Sequence, residues 1–96
     1  MIYHLLVDKL FIKVNDVGIY KFTVNRIYEL CRERKITPNA LSYMSGISQA
    51  TVKSILNGES KNPGIVTIKK ICDGLDISIM EFYDTPEYKE LEQEIK

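Results

Sequence analysis

The amino-acid sequence predicts an all-α domain, and three observations carry that prediction. From Thr23 onward, apolar residues recur at three- and four-residue spacing, the period of one helix face. Thr37, Ser48 and Ser78, residue types that cap helix starts, each stand directly ahead of such a stripe. Gly46, Gly58 and Gly74 fall where stripes end, the usual place for a glycine that stops a helix.

The first 22 residues read differently. They are rich in Val, Ile, Leu, Phe and Tyr, and Leu10, Ile12 and Val14 partly alternate with Lys9, Phe11, Lys13 and Asn15. Asn15-Asp16-Val17-Gly18 carries turn chemistry, so a short N-terminal β-hairpin is predicted over residues 3–14 and 18–23. A flexible leader or a short helix are the other readings of this segment. An isolated hairpin is marginal in water, so it must pack on the helices or on a second chain.

Helix 1 is predicted at 24–34, with Ile27, Leu30, Cys31 and Arg34 in one stripe. Helix 2 is predicted at 38–45: Thr37 caps it, Pro38 occupies the first helical position where no N–H is needed, and Gly46 ends it. Ile47 turns inward, Ser48 caps helix 3 at 49–57, and Gly58 opens a loop to Gly64. Helix 4 is predicted at 65–73, with Ile65, Ile68, Ile71 and Cys72 inward and Gly74 as its stop. Ser78 and Glu81 form a capping box for a short helix through Phe82 or Tyr83. Asp84-Thr85-Pro86 opens a weakly amphipathic, acidic C-terminal helix with Tyr88, Leu91 and Ile95 on one side.

The organisation expected is an N-terminal extension at 1–22, a helical domain at 23–83 and the acidic helix at 84–96. The core expected is Ile27, Leu30, Cys31, Leu41, Ile47, Val52, Ile55, Leu56, Ile68, Ile71, Leu75, Ile77 and Phe82. Burying such side chains stabilises by roughly 1.5–3 kcal/mol each, most of it offset by lost conformational entropy.

Composition narrows the function. With 96 residues, 45% apolar and 27% charged, the chain suits one small globular domain. No apolar run approaches the roughly 20 residues that span a bilayer, and Met1–Asp8 has no basic n-region, so a cytoplasmic protein with no membrane partner is expected. Cys31 and Cys72 fall on apolar faces and read as small buried hydrophobes. Two thiols and the single histidine, His4, do not make a metal site, and no nucleophile elbow or phosphate-cradling loop appears. No enzyme activity and no cofactor are expected.

The net charge is zero, but it is unevenly spread. Residues 21–72 carry nine basic and three acidic side chains, and residues 73–96 carry two basic and eight acidic ones. A basic face toward phosphates and an acidic end turned away fit that split, although two solvated faces would show it too.

Helices 2 and 3 with Gly46 in the tight turn between them form a helix-turn-helix unit, whose second helix can enter the DNA major groove. From about Val24 to Tyr83 the chain resembles the Cro/C1-type (XRE-like) helix-turn-helix regulators of the phage-repressor class. The resemblance is carried by Arg26-Ile-Tyr-Glu-Leu30, Leu41, Gly46-Ile-Ser48, Thr51-Val52, Ile55, Asn57-Gly58, Thr67-Ile-Lys-Lys-Ile-Cys-Asp-Gly-Leu75, Ile77-Ser78 and Glu81-Phe82. It covers about 60 of the 96 residues and implies a five-helix, lambda-repressor-like domain. Two positions depart from it. Many relatives place Gln where this chain has Pro38, so the side chain that meets a phosphate in them has no counterpart here, while the amides of Asn39 and Ala40 remain able to meet an anion. Many relatives bury an Arg–Glu pair where this chain has Cys31 and Leu56, an exchange that is often neutral or better for stability.

The outer side of helix 3 is therefore expected to contact bases through Gln49, Ala50, Thr51, Lys53 and Ser54. Gln pairs bidentately with adenine N6 and N7, Ala or a Thr methyl meets the thymine methyl, and Lys reaches guanine or a phosphate. Thr37, Asn39, Ser48, Asn57, Lys61 and Asn62 are expected to contact phosphates, which positions the protein without reading sequence. Double-stranded DNA is the expected partner, bound by a homodimer on two half-sites and acting as a transcriptional repressor. The alternative is an antitoxin-type or other protein-interaction module, with a protein partner at the acidic C-terminus.

Overall fold

The computed structural model describes residues 18–95. Six helices follow one another: α1 (Ile19–Arg34), α2 (Pro38–Ser45), α3 (Gln49–Leu56), α4 (Ile65–Gly74), α5 (Ile79–Tyr83) and α6 (Pro86–Lys89). No strand occurs among the described residues.

Local chemistry sets most of these boundaries. Thr37 Oγ1 accepts from the Ala40 amide at 3.1 Å, and Ser48, Ser78 and Thr85 cap α3, α5 and α6 in the same way. Pro38 and Pro86 open their helices where the missing N–H costs nothing. Gly46 closes α2 at φ 68°, and the Ile47 amide reaches back to the Ser42 carbonyl at 3.1 Å. That left-handed residue sets the turn that sends α3 away from α2.

The core lies where α1, α2 and α4 meet, closed by α3 and α5. Leu41, Ile71, Cys72, Leu75 and Phe82 are fully buried, with Ile27, Leu30, Cys31, Ile55, Ile68 and Ile77 around them. Val52 is also buried, while Ile47 and Leu56 are half-buried and pack on this cluster. Cys31 and Leu56 thus supply apolar packing at the two positions where an ion pair was absent from the sequence.

Four expectations are corrected. Residues 18–23 are not a strand: Gly18 is the N-cap of α1, and the helix begins at Ile19 rather than 24. Tertiary packing overrides the β-rich composition there, because Phe22 is buried against the rings of Phe82, Tyr83 and Tyr88 at centroid distances of 6.3, 5.8 and 5.5 Å. The first predicted strand, 3–14, lies outside the described residues. Ile65 is not inward but 65% exposed, since the first turn of α4 projects past the core.

Gly74 is not a stop. It is the last helical residue of α4, and Asp76 supplies the left-handed conformation at φ 58°. A Cβ on Gly74 would lie 2.5 Å from Ser45 Oγ and 2.8 Å from the Met44 carbonyl oxygen, so glycine is needed there for close approach of α4 to the end of α2. The acidic C-terminal helix, finally, is a single turn. Beyond Lys89 the chain leaves helical geometry, yet Leu91 still packs on the core and Glu94 Oε2 accepts from the Ile19 amide at 3.2 Å. An acidic side chain at the uncapped start of α1 is favourable.

Candidate nucleic-acid interface

The candidate interface is the outer face of α3 and the rim around it. Val52 and Ile55 face the core, which fixes the rotation of the helix about its axis. Gln49, Ala50, Thr51 and Lys53 consequently face solvent. Both ends of α3 are tied. At the start, Ser48 Oγ accepts from the Thr51 amide at 3.0 Å and donates to Thr51 Oγ1 at 2.9 Å. At the end, the Tyr20 hydroxyl donates to the Ile55 carbonyl at 2.8 Å.

A groove of about 680 Å³ runs along this face, lined by Tyr28, Pro38, Asn39, Gln49, Ala50, Val52, Lys53, Leu56 and Asn57. It brings together five residues named from sequence: Asn39, Gln49, Ala50, Lys53 and Asn57. Thr37, Ser48, Thr51, Lys61 and Asn62 are exposed but do not line it. Ser54 is half-buried, and its hydroxyl donates to Glu59 Oε1 at 3.2 Å, so a carboxylate already occupies it. Asn57 Oδ1 accepts from the Glu59 amide at 3.1 Å, which shapes the loop leaving α3. Thr37 is likewise committed to its cap.

Lys53 and Lys61 form no ion pair among the described residues, so both charges are available to a polyanion. Pro38 leaves the start of α2 without a polar side chain at that position, while the exposed Asn39 lines the groove beside it.

Three tyrosines belong to this region and were not read from sequence. Tyr28 of α1 lines the groove, Tyr20 holds the end of α3, and the Tyr43 hydroxyl accepts from Gln49 Nε2 at 3.0 Å. No local pattern singles them out, because each acts across a gap between helices. Among the described residues, no group of three potential ligand side chains could hold a metal ion, and no helix is long and apolar enough to cross a membrane.

Comparison with known proteins relates this chain to a family. Residues 26–87 match the Cro/C1-type HTH DNA-binding domain. The uncharacterized HTH-type transcriptional regulator RghRB of Bacillus subtilis (strain 168) is 44% identical over 52 residues, which are 54% of this chain and 37% of that protein. The HTH-type transcriptional repressor RghR of the same strain is 44% identical over 48 residues, 50% of this chain and 36% of that protein. The chain therefore spans little more than a third of the length of these curated relatives. The crystal structure of the prophage Lp1 protein 11 superposes with a TM-score of 0.66 at 35% identity, over 74% of this chain and 93% of that one. With residues 26–87 matched, about two thirds of its length, the chain belongs to the Cro/C1-type helix-turn-helix DNA-binding domain family.

Proposed function

We propose that this chain is a sequence-specific transcriptional regulator that docks α3 in the DNA major groove and represses transcription as a two-fold dimer. One observation carries the reading: Gln49, Ala50 and Lys53 form an open polar face along a groove, held outward by the buried Val52 and Ile55. Gln49 and Ala50 are the groups for base edges, Lys53 is the charge for guanine or phosphate, and Lys61 is a charge for phosphate. Repression is supported by the name of RghR, and dimerisation by the few base pairs that one such module can read. The acidic tail returns to the folded domain, Leu91 packing on the core and Glu94 meeting the start of α1, which favours a role within the fold over capture of a separate protein.

The test is binding of the purified chain to duplex DNA over a range of salt concentrations, followed by selection from random duplexes. Affinity should fall linearly with salt on logarithmic axes, as released counterions require. Gln49→Ala should cost about 1–3 kcal/mol at one base pair and relax preference there. Salt-independent binding, or no retention on any duplex at low ionic strength, would reject the proposal.

A further inference from the structure

Gln49 has a single side-chain partner among the described residues, and it lies on the neighbouring helix: Nε2 donates to the Tyr43 hydroxyl oxygen at 3.0 Å. Tyr43 sits in the last turn of α2 and is 77% exposed, and its ring adds nothing to the core cluster.

We infer that Tyr43 is a positioning residue for base recognition, its hydroxyl holding the Gln49 carboxamide in the orientation that reads adenine. The inference rests on the major-groove docking of α3 proposed above. A primary amide offers two N–H donors and one carbonyl acceptor. Tyr43 takes one N–H. The second N–H and Oε1 remain, the donor and acceptor that adenine meets with N7 and its N6 amino group.

An untethered glutamine must also give up rotamer freedom when it engages a base, and a tie made within the free protein removes part of that loss. The start of α2 makes no such tie, and the Asn39 side chain has no hydrogen bond to Gln49 among the described residues. Pro38 has no polar side-chain atom, and Thr37 Oγ1 is taken by the Ala40 amide at 3.1 Å. Orientation of Gln49 therefore comes from the other end of the same helix.

The experiment is selection from random duplexes with the full chain and its Tyr43→Phe, Gln49→Ala and doubly substituted forms. The unsubstituted protein should select adenine at one position in each half-site, and Gln49→Ala should relax that position. Tyr43→Phe should lower the adenine preference at the same position by about two- to tenfold, the equilibrium worth of one hydrogen bond. Preferences elsewhere should stay the same, and the double substitution should relax the position no further than Gln49→Ala does. If Gln49→Ala relaxes the position and Tyr43→Phe does not, the positioning role is overturned while base reading by Gln49 stands. A Tyr43→Phe protein weakened equally on all sequences also overturns it, since the hydroxyl then meets the backbone. If Gln49→Ala changes no position, base reading by Gln49 fails and this inference fails with it.

Discussion

The Tyr20 hydroxyl donates to the carbonyl oxygen of Ile55 across 2.8 Å, so the first turn of α1 closes the last turn of α3. That carbonyl is one of the orphan acceptors that every helix leaves at its end. Tyr20→Phe should destabilise the domain by about 0.5–1.5 kcal/mol, the net worth of such a bond, in urea unfolding. Amide hydrogen exchange should rise first at the end of α3. An unchanged unfolding midpoint would show that water replaces the hydroxyl without loss.

Gly74→Ala tests the approach of α4 to α2. Its methyl group would meet Ser45 Oγ at 2.5 Å and the Met44 carbonyl oxygen at 2.8 Å. Overpacking of this kind costs about 1–3 kcal/mol. Adding Ser45→Ala should restore only part of the lost thermal stability, because the backbone oxygen remains. Ser45 Oγ is itself buried without a hydrogen-bond partner, so Ser45→Ala alone should be neutral or stabilising in the same melt.

Arg26 pins α5 to α1. Its Nε donates to the Phe82 carbonyl at 2.7 Å, one terminal nitrogen to the Glu81 carbonyl at 3.0 Å and the other to Glu29 at 2.7 Å. The guanidinium also lies over the Phe82 ring, 5.9 Å from its centroid. Arg26→Met should cost roughly 1.5–3 kcal/mol, since charged hydrogen bonds are lost and the Phe82 carbonyl is left unpaired, while the Glu81 carbonyl keeps the Asp84 amide. Arg26→Lys should recover only a part, as an ammonium cannot reproduce the planar fork. Equal denaturation midpoints for the lysine variant and the parent would count against this account.

Stability should decline in alkali. Burial pushes the thiols of both Cys31 and Cys72 above the ordinary value of 9.0, with neighbouring Asp73 adding to the effect at Cys72. Burial likewise raises Tyr83 from 10.0. The fold favours the protonated form of all three. Below pH 9.0 the folded and unfolded chains both keep these thiol protons, and the full stability is present. Above it the unfolded chain ionises first and gains on the folded one, so stability falls as pH rises through the folded-state values. Urea midpoints taken from pH 7 to 10.5 should show the decline, and Cys31→Ala with Cys72→Ala should make it shallower.

Lys61→Ala should weaken binding to every duplex alike and make the salt dependence shallower by about one counterion. Electrophoretic mobility shifts on a selected and a scrambled duplex measure both effects. A loss confined to the selected duplex would assign Lys61 to base reading instead.

What sequence disclosed and what it withheld follow from the range of the forces involved. The caps Thr37, Ser48 and Ser78, and the turn at Gly46, act within four residues, so α2, α3 and α5 were readable to within a residue. The same short-range chemistry made the outward face of α3 predictable, because Val52 and Ile55 fix which side is buried. The start of α1 was hidden because Phe22 finds its partners about 60 residues away at Phe82, Tyr83 and Tyr88. Gly74 misled for a related reason: glycine at a helix end usually means a left-handed turn, whereas here it means a neighbour too near for a methyl group. Tyr20 and Tyr43 act across gaps between helices, which no local spacing encodes.

Glu94 accepts from the amide of Ile19, a residue 75 positions earlier in the chain. Among the described residues the chain is consequently almost a closed loop, with Ile19 and Glu94 side by side. A short linker joining these two positions, with the chain opened at the Lys61–Asn62 bend, would reorder the described residues without relocating any of their helices.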